Sequence, residues 1–140
     1  MNNKVEHLKM IQGVINRMAQ NSFLLKGWNV VIVSALFAFA AKGSQLSFAY
    51  IAFLPAVIFW GLDGYFLQQE RLFRRLYDHV RALCEEEVDF SMNTEKVKDN
   101  VASWLDVTLS KTLLLFHSAI FGSIVLVIVI SSFILKKGCF

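Results

Sequence analysis

The chain has 140 residues, 56% of them hydrophobic and 13 of them Phe, a composition too apolar for an ordinary soluble domain and a length that limits it to one domain. One Pro and seven Gly leave no room for a linker-rich or disordered architecture. The formal charge of +3 does not point to nucleic acid, because the basic residues flank apolar runs, the placement that the positive-inside bias produces.

These totals lead to an all-α fold, an integral membrane helical bundle forming a single domain over residues 1–140. Its transmembrane helices are expected near 23–41, 46–67 and 112–135, with a cytosolic helical hairpin over 68–111. Residues 1–22 come first. Val5, Leu8, Ile11, Ile15 and Met18 fall at helical spacing with Lys4, Lys9 and Arg17 elsewhere. This is an amphipathic N-terminal helix that lies at the membrane surface or packs on the stalk described below.

Residues 23–41 form the first apolar run, 19 residues. At a helical rise that is about 28 Å, enough to span a bilayer with little tilt. Ala38-Phe39-Ala40 has the look of a leader-cleavage site, but the amphipathic segment ahead of the run is a poor leader sequence. Lys42-Gly43-Ser44-Gln45 leaves only a short turn, so the first two runs pair as an antiparallel hairpin. In the second run, 46–67, Pro55 removes a backbone hydrogen bond and predicts a helix kink, which neighbouring helices can tolerate. Ala52 and Ala56 form a small-residue pair that permits close helix contact.

Beyond residue 67 the sequence turns abruptly polar. Leu72, Phe73, Leu76, Tyr77, Val80 and Leu83 share one helical face, with Arg71, Arg74, Arg75 and Arg81 around it. Arginines so close to an apolar run suit anionic lipid headgroups first, then a subunit interface, and last a nucleotide or nucleic-acid contact. Glu85-Glu86-Glu87 and residues 89–93 read as a turn. Asn93 then caps a second helix in which Val97, Val101, Trp104, Leu105 and Thr108 share a face. The third apolar run, 112–135, carries one ionisable residue, His117, and small-residue faces at Ser118/Gly122 and Ala119/Ser123. Cys84 and Cys139 fall on opposite sides of the membrane in this topology and have no metal-ligand spacing, so neither a disulfide nor a metal site is expected.

Lys and Arg set the orientation. Eleven lie in the 68–111 loop and toward the N-terminus, Lys26 at the start of the first run included, against three in the 42–45 turn and the C-terminal tail. The N-terminus and hairpin are therefore expected in the cytoplasm and the C-terminus outside.

The most informative constellation is not contiguous. In a hairpin centred near residues 44 and 45, Lys26 and Asp63 are equidistant from the turn and face each other. Both sit a turn or so inside the apolar boundary, where an isolated charge is costly, so an ion pair or a water-bridged equivalent is expected. Asn29, one turn deeper, and His117 fall at similar depth and complete a membrane polar layer of Lys26, Asn29, Asp63 and His117. Such a layer fixes hairpin register, or lines a subunit interface or pore mouth responsive to pH near neutrality. No nucleophile, metal spacing or Gly-rich phosphate loop accompanies it. No catalytic residue, metal or cofactor is assigned, and an enzyme is not expected.

The pattern Asn16-Arg17-Met18, then Asn21-Ser22-Phe23-Leu24-Leu25-Lys26-Gly27-Trp28, followed after the hairpin by Phe59-Trp60-Gly61-Leu62-Asp63-Gly64-Tyr65 and Glu70-Arg71-Leu72-Phe73-Arg74, resembles a widespread group of small bacterial multi-span membrane proteins. More loosely it resembles the SLATT and RipA-like families. The likeness covers residues 10–85. It implies a homo-oligomeric membrane assembly, and SLATT proteins are associated with nucleotide-signalled anti-phage defence as pore-forming effectors. No site residue transfers from it. The functional expectation is an oligomeric inner-membrane protein that permeabilises or depolarises the membrane as a phage-defence effector. The alternative is a non-conducting anchor or regulator that recruits a cytosolic protein through residues 68–111. Membrane lipids and copies of the same chain are the expected partners.

Overall fold

The protein is described from a computed structural model that covers residues 3–43 and 46–137. All regular structure among these residues is helical. The elements are α1 (Asn3–Gly43), α2 (Ser47–Ile51), α3 (Phe53–Ala82), α4 (Trp104–Thr108) and α5 (Lys111–Lys137), with 3-10 segments at Glu85–Glu87 and Glu95–Asn100. Among the described residues, three helices are long and apolar enough to cross a membrane: Asn3–Lys42, Ser47–Ala82 (α2 and α3 together) and Lys111–Ile134. The turn residues Ser44 and Gln45 and the tail containing Cys139 lie outside the described residues.

The amphipathic segment and the first apolar run are one helix, 41 residues long. No Gly or Pro interrupts them in a way that would end it; Gly13 and Gly27 sit where an added Cβ would meet nothing. The buried positions of α1, namely His7, Ile11, Ile15, Ser22, Asn29, Val33 and Ala40, recur at four or seven residues. That is a coiled-coil-like seam, and α3 supplies the opposing side. Of the two placements open to the N-terminal segment, packing on the stalk is the one observed. Ile11 and Ile15 are buried with Leu76, Val80, Val88 and Val97. Lys4 Nζ donates to the carbonyls of Arg81 at 3.1 Å and Leu83 at 2.5 Å, satisfying acceptors that the C-terminus of α3 leaves open.

A second apolar cluster joins Val33, Ala52, Ala56 and Ile124, one or more from each of the three long elements. The Ala52/Ala56 pair is fully buried, so its close contact is made inside the chain. The interruption attributed to Pro55 falls at Ala52, between α2 and α3, three residues earlier than the proline itself. Pro55 has no N–H for the carbonyl of Ile51 and its ring crowds that carbonyl, so the break appears at the preceding turn.

The return from α3 to α5 differs from the expected helix over 93–108. It is a 3-10 segment, an extended stretch at Val101, and the five-residue α4. The reason is local. Asp89, Ser91 and Asn93 side chains accept from the backbone N–H two residues on, at Ser91 (3.1 Å), Asn93 (3.1 Å) and Glu95 (2.9 Å). Each bond offers the backbone an alternative to helix. Asn93 therefore makes an Asx turn and caps no α-helix; Ser103 caps α4, its hydroxyl accepting from Asp106 N–H at 3.3 Å. The residues expected to share a face divide: Val97 and Thr108 are buried, whereas Trp104 and Leu105 are exposed.

Lys96 ties this loop by an ion pair to Asp89. The Lys96 ammonium, and after it the Ser91 N–H, hold the Asp89 carboxyl below its ordinary range. With a depressed folded-state value, the stabilisation is fully present above the unfolded carboxylate value, about 3.9. It is lost as pH falls through the folded one. An NMR titration of the Asp89 carboxyl is expected to show this low midpoint, and Lys96→Gln to move it upward; an unmoved midpoint would remove Lys96 as the cause.

Candidate functional site

Between the two apolar clusters, one side chain gathers all three long helices. Asp63 of α3 is 1% exposed. From α1, Lys26 Nζ lies 2.8 Å from Oδ1 and 2.6 Å from Oδ2. The Ser22 hydroxyl, also from α1, donates to Oδ1 and accepts from Lys26 Nζ at 2.9 Å. From α5, His117 Nε2 lies 3.0 Å from Oδ2. A carboxylate only accepts, so the hydrogen on His117 is assigned to Nε2. His117 Nδ1 is buried and has no hydrogen-bond partner among the described residues.

Local sequence explains each position. Ser22 and Lys26 are one helical turn apart and so face the same way. Asp63 occupies a buried position of α3 flanked by Gly61 and Gly64. Gly64 admits the neighbouring chain closely: a Cβ there would meet Thr108 Cβ at 2.9 Å and Cα at 3.2 Å. That approach seats α4 beneath the cluster. Trp60 Nε1 donates to the Thr108 carbonyl at 2.9 Å, and Trp104 Nε1 to the Gly61 carbonyl at 3.1 Å. The Trp60 ring in turn stacks on His117, centroids 5.6 Å apart and planes at 15°. Phe116 meets His117 edge-on and lies under Lys26 Nζ at 5.9 Å. Aromatic surface thus closes the cluster where protein hydrogen bonds do not.

Of the expected polar layer, Lys26, Asp63 and His117 come together. Asn29 is fully buried, but neither of its amide atoms has a hydrogen-bond partner among the described residues. Ser22, Trp60, Gly64 and Thr108 are not among the residues expected in that layer; Trp60 is expected only as an interface-belt or packing aromatic. Ser22 carries a readable signal, its i−4 spacing from Lys26; Thr108 carries none, because its place depends on the irregular return segment. His7 is a further buried ionisable residue, 0% exposed and edge-on to Phe90 at 5.6 Å.

The arginines separate by role. Arg74 pairs with Glu70 at 2.7 Å and Arg81 with Asp78 at 3.6 Å, both one turn away on α3. Arg71 and Arg75 make no ion pair among the described residues. Arg71, Arg74 and Arg75 border an open groove, whereas Arg81 lies beyond it. No cluster of three or more metal-ligating side chains occurs among the described residues.

Chemically, the arrangement holds one carboxylate with an ammonium, a hydroxyl and an imidazole; the carboxylate, hydroxyl and imidazole are buried and the Lys26 side chain is partly so. It can lock three helices in register. The chain matches no protein-family model, no curated protein and no solved structure.

Proposed function

We propose that the chain is an integral protein of a bacterial inner membrane, assembled from several copies, that is sealed at rest and permeabilises the membrane when the Asp63 cluster opens. The observation carrying this reading is the pairing of opposites in one molecule. Asp63 and His117 are each 1% exposed and Lys26 turns its ammonium onto Asp63, while only 17%, 22% and 17% of the three apolar stretches are buried within the chain. Surface so apolar suits lipid and neighbouring helices. On α5, Ser118, Ala119 and Gly122 are open, and a Cβ on Gly122 would meet nothing, so that small-residue face is free for a second copy. In this reading the N-terminus and residues 68–111 lie in the cytoplasm, the C-terminus lies outside, and loss of the membrane barrier serves phage defence.

Liposomes loaded with dye test it. Wild-type protein is expected to leave them tight, and Asp63→Asn, which keeps the shape and removes the charge, to leak with a defined size cut-off from an oligomer of discrete mass. Tight vesicles with folded Asp63→Asn would favour the other reading, a non-conducting anchor. The exposed arginine-lined groove on the stalk favours that alternative specifically, because it offers a cytosolic partner a charged face.

A further inference from the structure

The groove on the stalk has two walls of different origin. One is α3, with Arg71, Arg74, Arg75 and Asp78; the other is the return segment, where the 3-10 turn ends at Asn100 and the chain runs on through extended Val101 to Ala102. Gln68 Nε2 donates to the Ala102 carbonyl at 3.2 Å, fixing the second wall to the first. The space between is about 440 Å³, ample for a phosphate group. We infer that this groove is a binding site for a phosphate group, held by Arg71 and Arg75 and walled by the return segment.

Charge pattern carries the inference. Arg71 and Arg75 are one helical turn apart, like charges that disfavour the helix unless an anion lies between them. The neighbouring acids are engaged elsewhere: Glu70 pairs with Arg74 at 2.7 Å, and Asp78, which also lines the groove, pairs with Arg81 at 3.6 Å. Guanidinium forks match phosphate oxygens bidentately, and Asn100 adds an amide that can donate.

Position relative to the apolar boundary limits the source. Arg71 lies about 6 Å along the helix beyond residue 67, and Arg75 about 12 Å. A headgroup layer is roughly 5–8 Å deep on each side. The groove therefore begins within the headgroup layer and opens to water, so the phosphate belongs either to an anionic lipid or to a soluble phosphate compound. This placement rests on the membrane-spanning reading proposed above; the binding chemistry does not.

Two arms separate the sources. In detergent micelles, pyrophosphate is titrated into the full chain by calorimetry. In nanodiscs, phosphatidylglycerol retained by the protein is quantified against phosphatidylcholine. Saturable pyrophosphate binding that falls at least about tenfold in the double variant Arg71→Gln/Arg75→Gln, with Arg81→Gln unchanged, identifies a soluble source. Selective lipid retention lost in the same double variant identifies a lipid one. Arg71→Lys is expected to weaken either, since a point charge replaces a fork. The inference is overturned if neither probe distinguishes wild type from the double variant, or if Arg81→Gln weakens binding as much. The micelle arm does not depend on leakage, so its failure is separate from failure of the permeabilising reading.

Discussion

Asp63→Ala is expected to cost about 3–5 kcal/mol of folding stability, the range for removing one member of a buried ion pair. The substitution strands the Lys26 ammonium and the His117 Nε2–H in an apolar setting, each with its principal acceptor gone. Replacing both charges, as Lys26→Met with Asp63→Leu, is expected to cost much less than the two single losses added together, because no uncompensated charge then remains. Unfolding in mixed micelles, followed by helical circular dichroism, measures the cycle. Strictly additive losses would mean that Lys26 and Asp63 do not act as a pair. Part of the Lys26 effect is softened by its side chain, which is 25% exposed and can reach toward polar surroundings.

Gly64→Ala should be nearly as informative for a smaller atom. Its new methyl would sit 2.9 Å from Thr108 Cβ and 3.2 Å from Thr108 Cα, and a backbone neighbour cannot swing aside. Overpacking of this kind costs about 1–3 kcal/mol. The strain falls on α4, so the Trp60 and Trp104 hydrogen bonds across it should loosen and tryptophan emission should shift. Gly61→Ala provides the internal contrast, since its nearest neighbour would be a Trp104 ring carbon at an ordinary 3.5 Å. Gly122→Ala, with open space around it, should leave monomer stability unchanged. Equal thermal stability for Gly64→Ala and Gly61→Ala would contradict the close seating of α4.

Which parts of this molecule could be read from its sequence follows from the range of the forces involved. Three apolar runs announce three long helices because hydrocarbon length and helical rise are fixed quantities. The Lys26 and Asp63 pairing follows from arithmetic on a short hairpin turn. His117 joins them through a third helix whose register depends on the connection from α3, and no spacing rule specifies that connection. Residues 93–108 were misleading for a definite reason: Val97, Val101, Trp104, Leu105 and Thr108 are helically spaced, yet Asp89, Ser91 and Asn93 divert the backbone N–H groups ahead of them. A kink is expected at Pro55, whereas the helix is interrupted at Ala52, three residues earlier. Continuity of α1 was legible only in hindsight of its seam, since a change from amphipathic to uniformly apolar composition looks like a boundary even where the helix does not stop.

The most direct test is solid-state NMR of the full chain in lipid bilayers, with Lys Nζ and Asp carboxyl carbons labelled and water-edited spectra recorded. A through-space contact between Lys26 Nζ and Asp63 Cγ, with the Asp63 carboxyl shielded from mobile water, is the predicted result. An Asp63 signal that equilibrates rapidly with water, or one lacking any contact to Lys26, would contradict a sealed ionic node joining the three helices.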